Sequence, residues 1–162
     1  MTIDWMPFAC LAMGLSCALV AGVFQSFSDF VMRALIAAEP SAGIESMQMI
    51  NRTVFQSVFL AMMLGLAPAS LLFGSYAYLY LAGAAASWIV SGAAIYIVTV
   101  FLVTMLGNVP MNNRLDQMDN AAAGTVGYWQ IYGSVWTRWN HLRTLGSLAA
   151  AICFLAAAVS TG

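Results

Sequence analysis

The chain has 162 residues, of which 62% are hydrophobic and only 7% are charged. Soluble domains average about 25% charged residues, so this composition excludes a soluble surface and predicts an integral membrane protein that contacts the lipid bilayer. With only five basic residues and a formal net charge of −1, the chain also lacks the polybasic surface that nucleic acid requires.

Four apolar stretches are long enough to cross a bilayer, which takes about 20 mostly apolar residues. We predict an all-α fold in one domain over residues 1–162, a bundle of four transmembrane helices. A short amphipathic helix or ordered loop is expected between helices 3 and 4. The predicted spans cover approximately residues 7–36, 53–73, 77–106 and 128–159.

Small residues recur at close-approach spacing along two of the spans. Gly14, Ala18 and Gly22 are four residues apart on the first span, and Gly83 and Ser87 share this spacing on the third. Such faces let a second helix approach closely in a membrane. They predict a homo-oligomer or a partner in a membrane complex.

The connections carry turn and capping signals. The second helix is expected to begin near Ala42, outside the bilayer, with Ser41 as its cap. Residues 74–76 are predicted to connect spans two and three. Gly107 is expected to end the third helix, with Asn108 capping the amphipathic segment that follows.

Every charged residue except Asp4 lies on one side of the predicted bundle, in the first and third connections and the segments beside them. The positive-inside rule places this side in the cytoplasm and both termini outside, and we expect a bacterial inner-membrane protein. The basic residues on this side are Arg33, Arg52, Arg114, Arg138 and Arg143.

Four segments of the chain match the pattern of a known family in the same order: FSDFVMRAL (27–35), IESMQMINRTVF (44–55), NVPMNNRLDQMD (108–119) and WTRWNHLRTL (136–145), of which the last two are the most specific. They resemble the anthrone oxygenase-like family, also called domain of unknown function 1772. The resemblance implies a small four-helix membrane protein. It also implies an oxygenase that converts anthrones to anthraquinones with molecular oxygen and without a bound cofactor.

One face of the fourth helix combines aromatic and polar side chains at helical spacing: Trp136, Trp139, Asn140 and Arg143. The indoles can stack on a flat aromatic compound while the amide and guanidinium hold its oxygens. We interpret this face as a substrate-binding wall. The alternative is an interfacial aromatic belt with a polar clamp between helices.

Three asparagines are further candidates for substrate binding. Asn51 precedes the second span, and Asn112 and Asn113 follow the third. Each amide offers a donor and an acceptor to a phenolic or carbonyl oxygen. The alternative is that they cap helix ends and satisfy loop backbone groups.

Two residues are candidates for a catalytic base, with Arg143 stabilising the anion that deprotonation creates. His141 is one candidate, because histidine is the residue type that exchanges a proton most readily near neutral pH. Asp29 is the other candidate. The alternatives are an interfacial role for His141 and an ion pair between Asp29 and Arg33, four residues apart.

The sequence argues against metal and haem chemistry. One His cannot supply a three-His site, bis-His haem ligation or paired Glu-x-x-His motifs, and the acids are scattered. We therefore predict no metal and no cofactor, and a substrate that is an apolar aromatic small molecule. The alternatives to an enzyme are a non-enzymatic subunit of a membrane complex and a binding protein for small molecules or lipids.

Overall fold

The computed structural model describes residues 5–160, and this part of the chain is helical and contains no strand. Four of its helices are long and apolar enough to cross a membrane, which confirms the predicted fold class. The helices are α1 (Met6–Ala37), α2 (Pro40–Thr53), α3 (Val58–Tyr80), α4 (Gly83–Asp116) and α5 (Ala123–Ser160).

The four long helices form a closed ring in which α5 packs against α1 and α4, while α3 packs against α4 and α1. Their shared core contains Phe24, Tyr96 and Phe154. Since polar groups at membrane depth need partners within the protein, the Tyr96 hydroxyl donates to the Met63 carbonyl oxygen at 2.8 Å. This hydrogen bond joins α4 to α3.

A second, smaller core lies at one end of the bundle, and we call it the cap core. It is formed by α2 with the ends of α1 and α4 and the beginning of α5, and it buries Ile44, Met47, Leu115 and Trp129. The Gln48 side chain donates to two backbone carbonyl oxygens near the end of α4, both at 2.9 Å. The amphipathic α2 therefore covers the end of the bundle and does not cross the membrane.

Residues 74–76 do not connect spans two and three, because α3 continues to Tyr80. Gly74 is buried in α3, where a Cβ would lie 2.7 Å from that of Ala93, so it serves helix packing and not a turn. The chain turns at Leu81 and Ala82 in extended conformation. Gly83 follows with φ +82°, a value that glycine adopts without a steric penalty.

The second span is also shorter at its start than predicted, because two helices replace one continuous helix from Ala42. A 3₁₀ turn at Val54–Gln56 follows α2, and Ser57 is extended. The Ser57 hydroxyl oxygen accepts a hydrogen bond from the Leu60 amide at 3.1 Å and so caps α3. The span therefore begins at Val58 and not at residue 53.

The cap of α2 is Glu39, where the prediction was Ser41. Its carboxylate accepts hydrogen bonds from the Ser41 hydroxyl and from the backbone amides of Ser41 and Ala42. These donors, the hydroxyl first, lower the pKa of Glu39. Pro40 occupies the first helical position, which leaves the residue before it to act as the cap.

The third span continues to Asp116, so neither Gly107 nor Asn108 marks a helix boundary. The predicted amphipathic segment is the last part of α4, Val109–Asp116. Gly107 is needed for packing, because a Cβ there would lie 3.0 Å from the Trp139 ring. The fourth helix begins at Ala123, earlier than the predicted residue 128.

Two of the long helices contain π-helical turns. One lies in α1 at Phe27–Val31, and two lie in α4 at Tyr96–Leu102 and Thr104–Asn108. π-helical turns are rare and occur frequently at functional sites. The turns therefore indicate a functional role for the neighbouring parts of α1 and α4.

Replacing Gly146 with Ala is expected to lower the stability of the bundle by about 1–3 kcal/mol, the usual cost of overpacking. Gly146 of α5 faces Thr99 of α4, and a Cβ on Gly146 would lie 2.5 Å from the Thr99 Cβ. Thermal unfolding in detergent, followed by tryptophan fluorescence, measures the effect. Gly65→Ala is the control, because a Cβ there meets no atom within 4 Å. An equal loss in both variants would contradict the packing argument, whereas recovery in Gly146→Ala/Thr99→Gly would support it.

Candidate functional site

A cavity of about 170 Å³ lies between the core shared by the four long helices and the cap core. Its walls come from every long helix and from α2, and most of them are apolar. The apolar wall residues include Phe24 of α1, Met47 of α2, Phe59 and Met63 of α3, and Trp136 of α5. Asn108 and Asn112 contribute the polar part of the α4 wall.

The size of the cavity limits what it can enclose. An engineered cavity of about 150 Å³ binds benzene, whereas ligand pockets usually measure about 300–1,000 Å³. The enclosed space therefore suits about one aromatic ring. A larger ligand would extend past Phe55, a lining residue whose side chain is 73% exposed.

Arg143 is the buried cation of this cavity, with only 6% of its surface exposed. Its Nη2 donates to Asn140 Oδ1 at 2.5 Å and its Nη1 to Thr104 Oγ1 at 3.4 Å. Its Cζ lies 4.2 Å from the ring centre of Phe24 and 5.4 Å from that of Trp136. All of these partners are uncharged.

No carboxylate within residues 5–160 pairs with Arg143, since the ion pair found there joins Arg52 to Asp116. A buried charge without a counter-ion costs several kcal/mol, and charged groups at membrane depth are typically functional. An anion entering the cavity would recover part of this cost. The site is therefore electrostatically suited to a negatively charged oxygen.

Asn140 holds the guanidinium in place and joins α5 to α1. Its Nδ2 donates to the Phe24 carbonyl oxygen at 2.6 Å and to Ser28 Oγ at 2.7 Å. Its Oδ1 accepts the hydrogen bond from Arg143. Because both ends of the amide are occupied, Asn140 is placed to orient Arg143.

Asn112 links α4 to α5 and lines the cavity. Its Oδ1 accepts hydrogen bonds from the Tyr132 hydroxyl and from Trp136 Nε1, both at 2.8 Å. Its Nδ2 donates to no residue in the described part of the chain. Two donors thus fix the orientation of this amide and leave its N–H groups free.

Two other polar atoms of the lining residues are buried without a hydrogen-bond partner in the described chain: Asn108 Oδ1 and Arg143 Nε. Buried polar groups are nearly always paired, and each unpaired one costs about 1–3 kcal/mol. These two atoms are a further indication of a binding site, although Ser70 Oγ and Trp129 Nε1 are also unpaired and lie away from the cavity. Asn108 was predicted only as a helix cap.

The edge of the cavity carries an ion pair that sequence reasoning missed. Arg52 Nε donates to Asp116 Oδ1 at 2.7 Å, and both residues line the cavity. Asp116 lies four residues after Asn112 on α4, and Arg52 follows Asn51 directly. Because Asp116 lies about one helical turn after the predicted Asn112, the sequence did contain a signal that this carboxylate could belong to the site.

A family model described as anthrone oxygenase matches residues 52–153. The chain belongs to the anthrone oxygenase family. This confirms the family resemblance, and the matched range includes Asn108, Asn112, Asn140 and Arg143. No curated protein and no solved structure matched the chain.

Most of the residues predicted for the site in this family member come together at the cavity. They are Asn51, Asn112, Asn113, Trp136, Asn140 and Arg143. Asn113 is exposed and lies at the outer edge.

Three predicted site residues lie elsewhere. His141 is exposed, because one residue of helix rotates it by about 100° from Asn140. Asp29 is also exposed and forms no ion pair with Arg33, so the predicted pair is absent. Trp139 packs on Gly107 with 40% of its surface exposed and does not line the cavity.

Proposed function

We propose that this protein is a membrane-embedded oxygenase that oxidises an apolar phenolic compound of the anthrone or polyketide-like class without a bound cofactor. The family membership supports the reaction class. The observation that carries the proposal is the buried Arg143 guanidinium, which lines the cavity without a carboxylate partner within residues 5–160. Such a group stabilises an anion most strongly where water is excluded.

The proposed reaction begins when a substrate from the bilayer places its oxygen near Arg143. Loss of a proton from the reacting CH₂ group gives an anion delocalised onto that oxygen, and the guanidinium stabilises the charge. The anion reduces molecular oxygen and forms a hydroperoxide at the same carbon. Loss of water then breaks the O–O bond, so that CH₂ and O₂ become C=O and H₂O.

Asp116 is the proposed proton acceptor. It is the carboxylate among the described residues that line the cavity, whereas His141 and Asp29 lie outside it. Arg52 holds one carboxylate oxygen at 2.7 Å, which fixes the group at the cavity edge. A positioned general base typically contributes a factor of about 10²–10⁴ to the rate.

Asp116→Asn is therefore expected to reduce turnover at least about 100-fold. Purified protein in lipid nanodiscs would be incubated with emodin anthrone, and oxygen uptake and quinone absorbance compared with autoxidation. Arg52→Gln breaks the same ion pair but keeps the carboxylate, so it should lose much less activity. Glu45→Gln, exposed on α2, controls for removal of a charge. A wild-type rate equal to autoxidation would exclude this reaction for this substrate class, and full activity of Asp116→Asn would exclude Asp116 as the base.

A second candidate is a binding protein for the same class of compound. The exposed Phe55 at the cavity supports it, since an apolar ligand could exchange there with the bilayer. Saturable binding without oxygen uptake would distinguish it from the enzyme. Either activity is compatible with the cavity described above.

We further propose that the end of the bundle that carries the cap core faces the bacterial cytoplasm, because the basic residues cluster there. Association through the small-residue faces also remains a proposal. Gly14 is used within the chain, where a Cβ would lie 2.7 Å from Leu155 Cγ. Gly22 and Ser87 are exposed and remain free to meet a second copy or another subunit.

A further inference from the structure

The fixed orientation of Asn112 adds a second recognition point to the cavity. The Trp136 Nε1–H group can only donate, so the atom that receives it must be the amide oxygen of Asn112, to which the Tyr132 hydroxyl also donates. Tyr132 is fully buried and Trp136 nearly so, which holds the two donors in place. The amide is therefore held in one orientation, and its Nδ2 is the atom that no described residue accepts from.

The position of this amide relative to Arg143 is set by Trp136. The indole has the Arg143 guanidinium 5.4 Å from its ring centre, while its Nε1 donates to Asn112 at 2.8 Å. Arg143 and Asn112 therefore both contact Trp136, and all three residues line the cavity. A ligand in this cavity can meet both a guanidinium and an amide group.

We propose that Asn112 binds a second oxygen of the ligand and thereby selects aromatic compounds that carry two oxygens. One oxygen bears the negative charge and lies at Arg143, where the proposed reaction places the enolate oxygen, and the other is a neutral acceptor and lies at Asn112. This inference rests on the proposed function, because it assigns the ligand to the same cavity. It makes Asn112 a specificity-determining residue.

A matched pair of ligands tests the inference without turnover. The first is a hydroxytetralone whose phenol oxygen is meta to the ketone and stands in for the charged oxygen, and the second is the corresponding tetrahydronaphthol, which lacks the ketone. Binding to the full-length protein in nanodiscs would be measured under nitrogen by calorimetry. One neutral hydrogen bond predicts that the wild type binds the ketone about tenfold more tightly.

Asn112→Asp is the informative variant, because it keeps an oxygen for Tyr132 and Trp136 and replaces the N–H donors with a second oxygen. The tenfold preference for the ketone is expected to disappear, while the thermal unfolding midpoint stays close to that of the wild type. Using the ratio of two affinities cancels the common effect of the added charge. Gln117→Glu adds the same charge at an exposed position near the end of α4 and should keep the preference.

The outcomes separate this inference from the proposed function. If neither phenol binds the wild type, or if both bind equally well to Arg143→Met, the cavity is not the proposed anion site and both ideas fail. If binding depends on Arg143 but Asn112→Asp keeps the tenfold preference, only the assignment of Asn112 is overturned. Loss of the preference in Asn112→Asp, with its retention in Gln117→Glu, supports the assignment.

Discussion

Replacing Arg143 with Met is expected to abolish ligand binding and oxygen uptake without lowering the free energy of unfolding. The guanidinium is buried between the rings of Phe24 and Trp136 and has no counter-ion among the described residues. Removing the guanidinium relieves the cost of desolvating a buried charge, which is several kcal/mol. This gain offsets the cost of leaving Asn140 Oδ1 unpaired, which is about 1–3 kcal/mol. Met has a similar length and packs well against aromatic rings.

Calorimetry with a phenol, oxygen uptake and thermal unfolding would be measured on the same preparation. Arg138→Met is the matched control, because Arg138 is exposed on the same helix. A large loss of stability in Arg143→Met would show that the cation holds the fold together. Undiminished oxygen uptake would rule out anion stabilisation by this residue.

Replacing Asn140 with Leu is expected to destabilise the protein by about 3–5 kcal/mol, because the variant loses three buried hydrogen bonds and each buried partner left unpaired costs about 1–3 kcal/mol, more for a charged one. The variant loses the hydrogen bonds to the Phe24 carbonyl and Ser28, which join α1 to α5. It also leaves Arg143 Nη2 without its acceptor. Unfolding by denaturant or heat in detergent measures the loss.

The double variant Asn140→Leu/Arg143→Met separates the loss of the hydrogen bonds between α1 and α5 from the effect of leaving the Arg143 charge without its acceptor. Because it removes the stranded charge, it should be more stable than Asn140→Leu alone, a coupling that a double-mutant cycle quantifies. Gln130→Leu, at an exposed position of α5, controls for the introduction of Leu. Equal instability of the single and double variants would mean that the contact with α1, and not the charge, dominates.

The number and type of the long helices could be predicted because a bilayer imposes a minimum apolar length on each span. The helix ends were less predictable, because a glycine can either mark a turn or allow a close contact inside a helix, and the sequence alone does not distinguish the two. Gly74 and Gly107 resemble turn residues, yet both lie within helices where another side chain approaches closely. That distinction depends on a partner helix distant in the chain.

The candidate site was partly predictable for a similar reason. Polar residues on a helix that enters lipid are costly, and this cost identifies Asn140 and Arg143 from the sequence alone. Arg52 and Asp116 were missed because their contact depends on the interruption of the helix at Ser57, which sets the position of α2. His141 was included for its acid–base chemistry, although helical spacing already places it about 100° from Asn140.

The π-helical turns bear on how the cavity could accommodate ligands of different size. Thr104 and Asn108 line the cavity from within a π-helical turn of α4, and Phe27 lines it at the start of the turn in α1. Such turns are rare and occur frequently at functional sites, and we expect the backbone of these two walls to adjust more readily than the α-helix around them. We therefore expect that a cavity that encloses one ring can expand locally for a fused ring system. The bundle would adapt to its ligand by moving a few residues, with no domain closure.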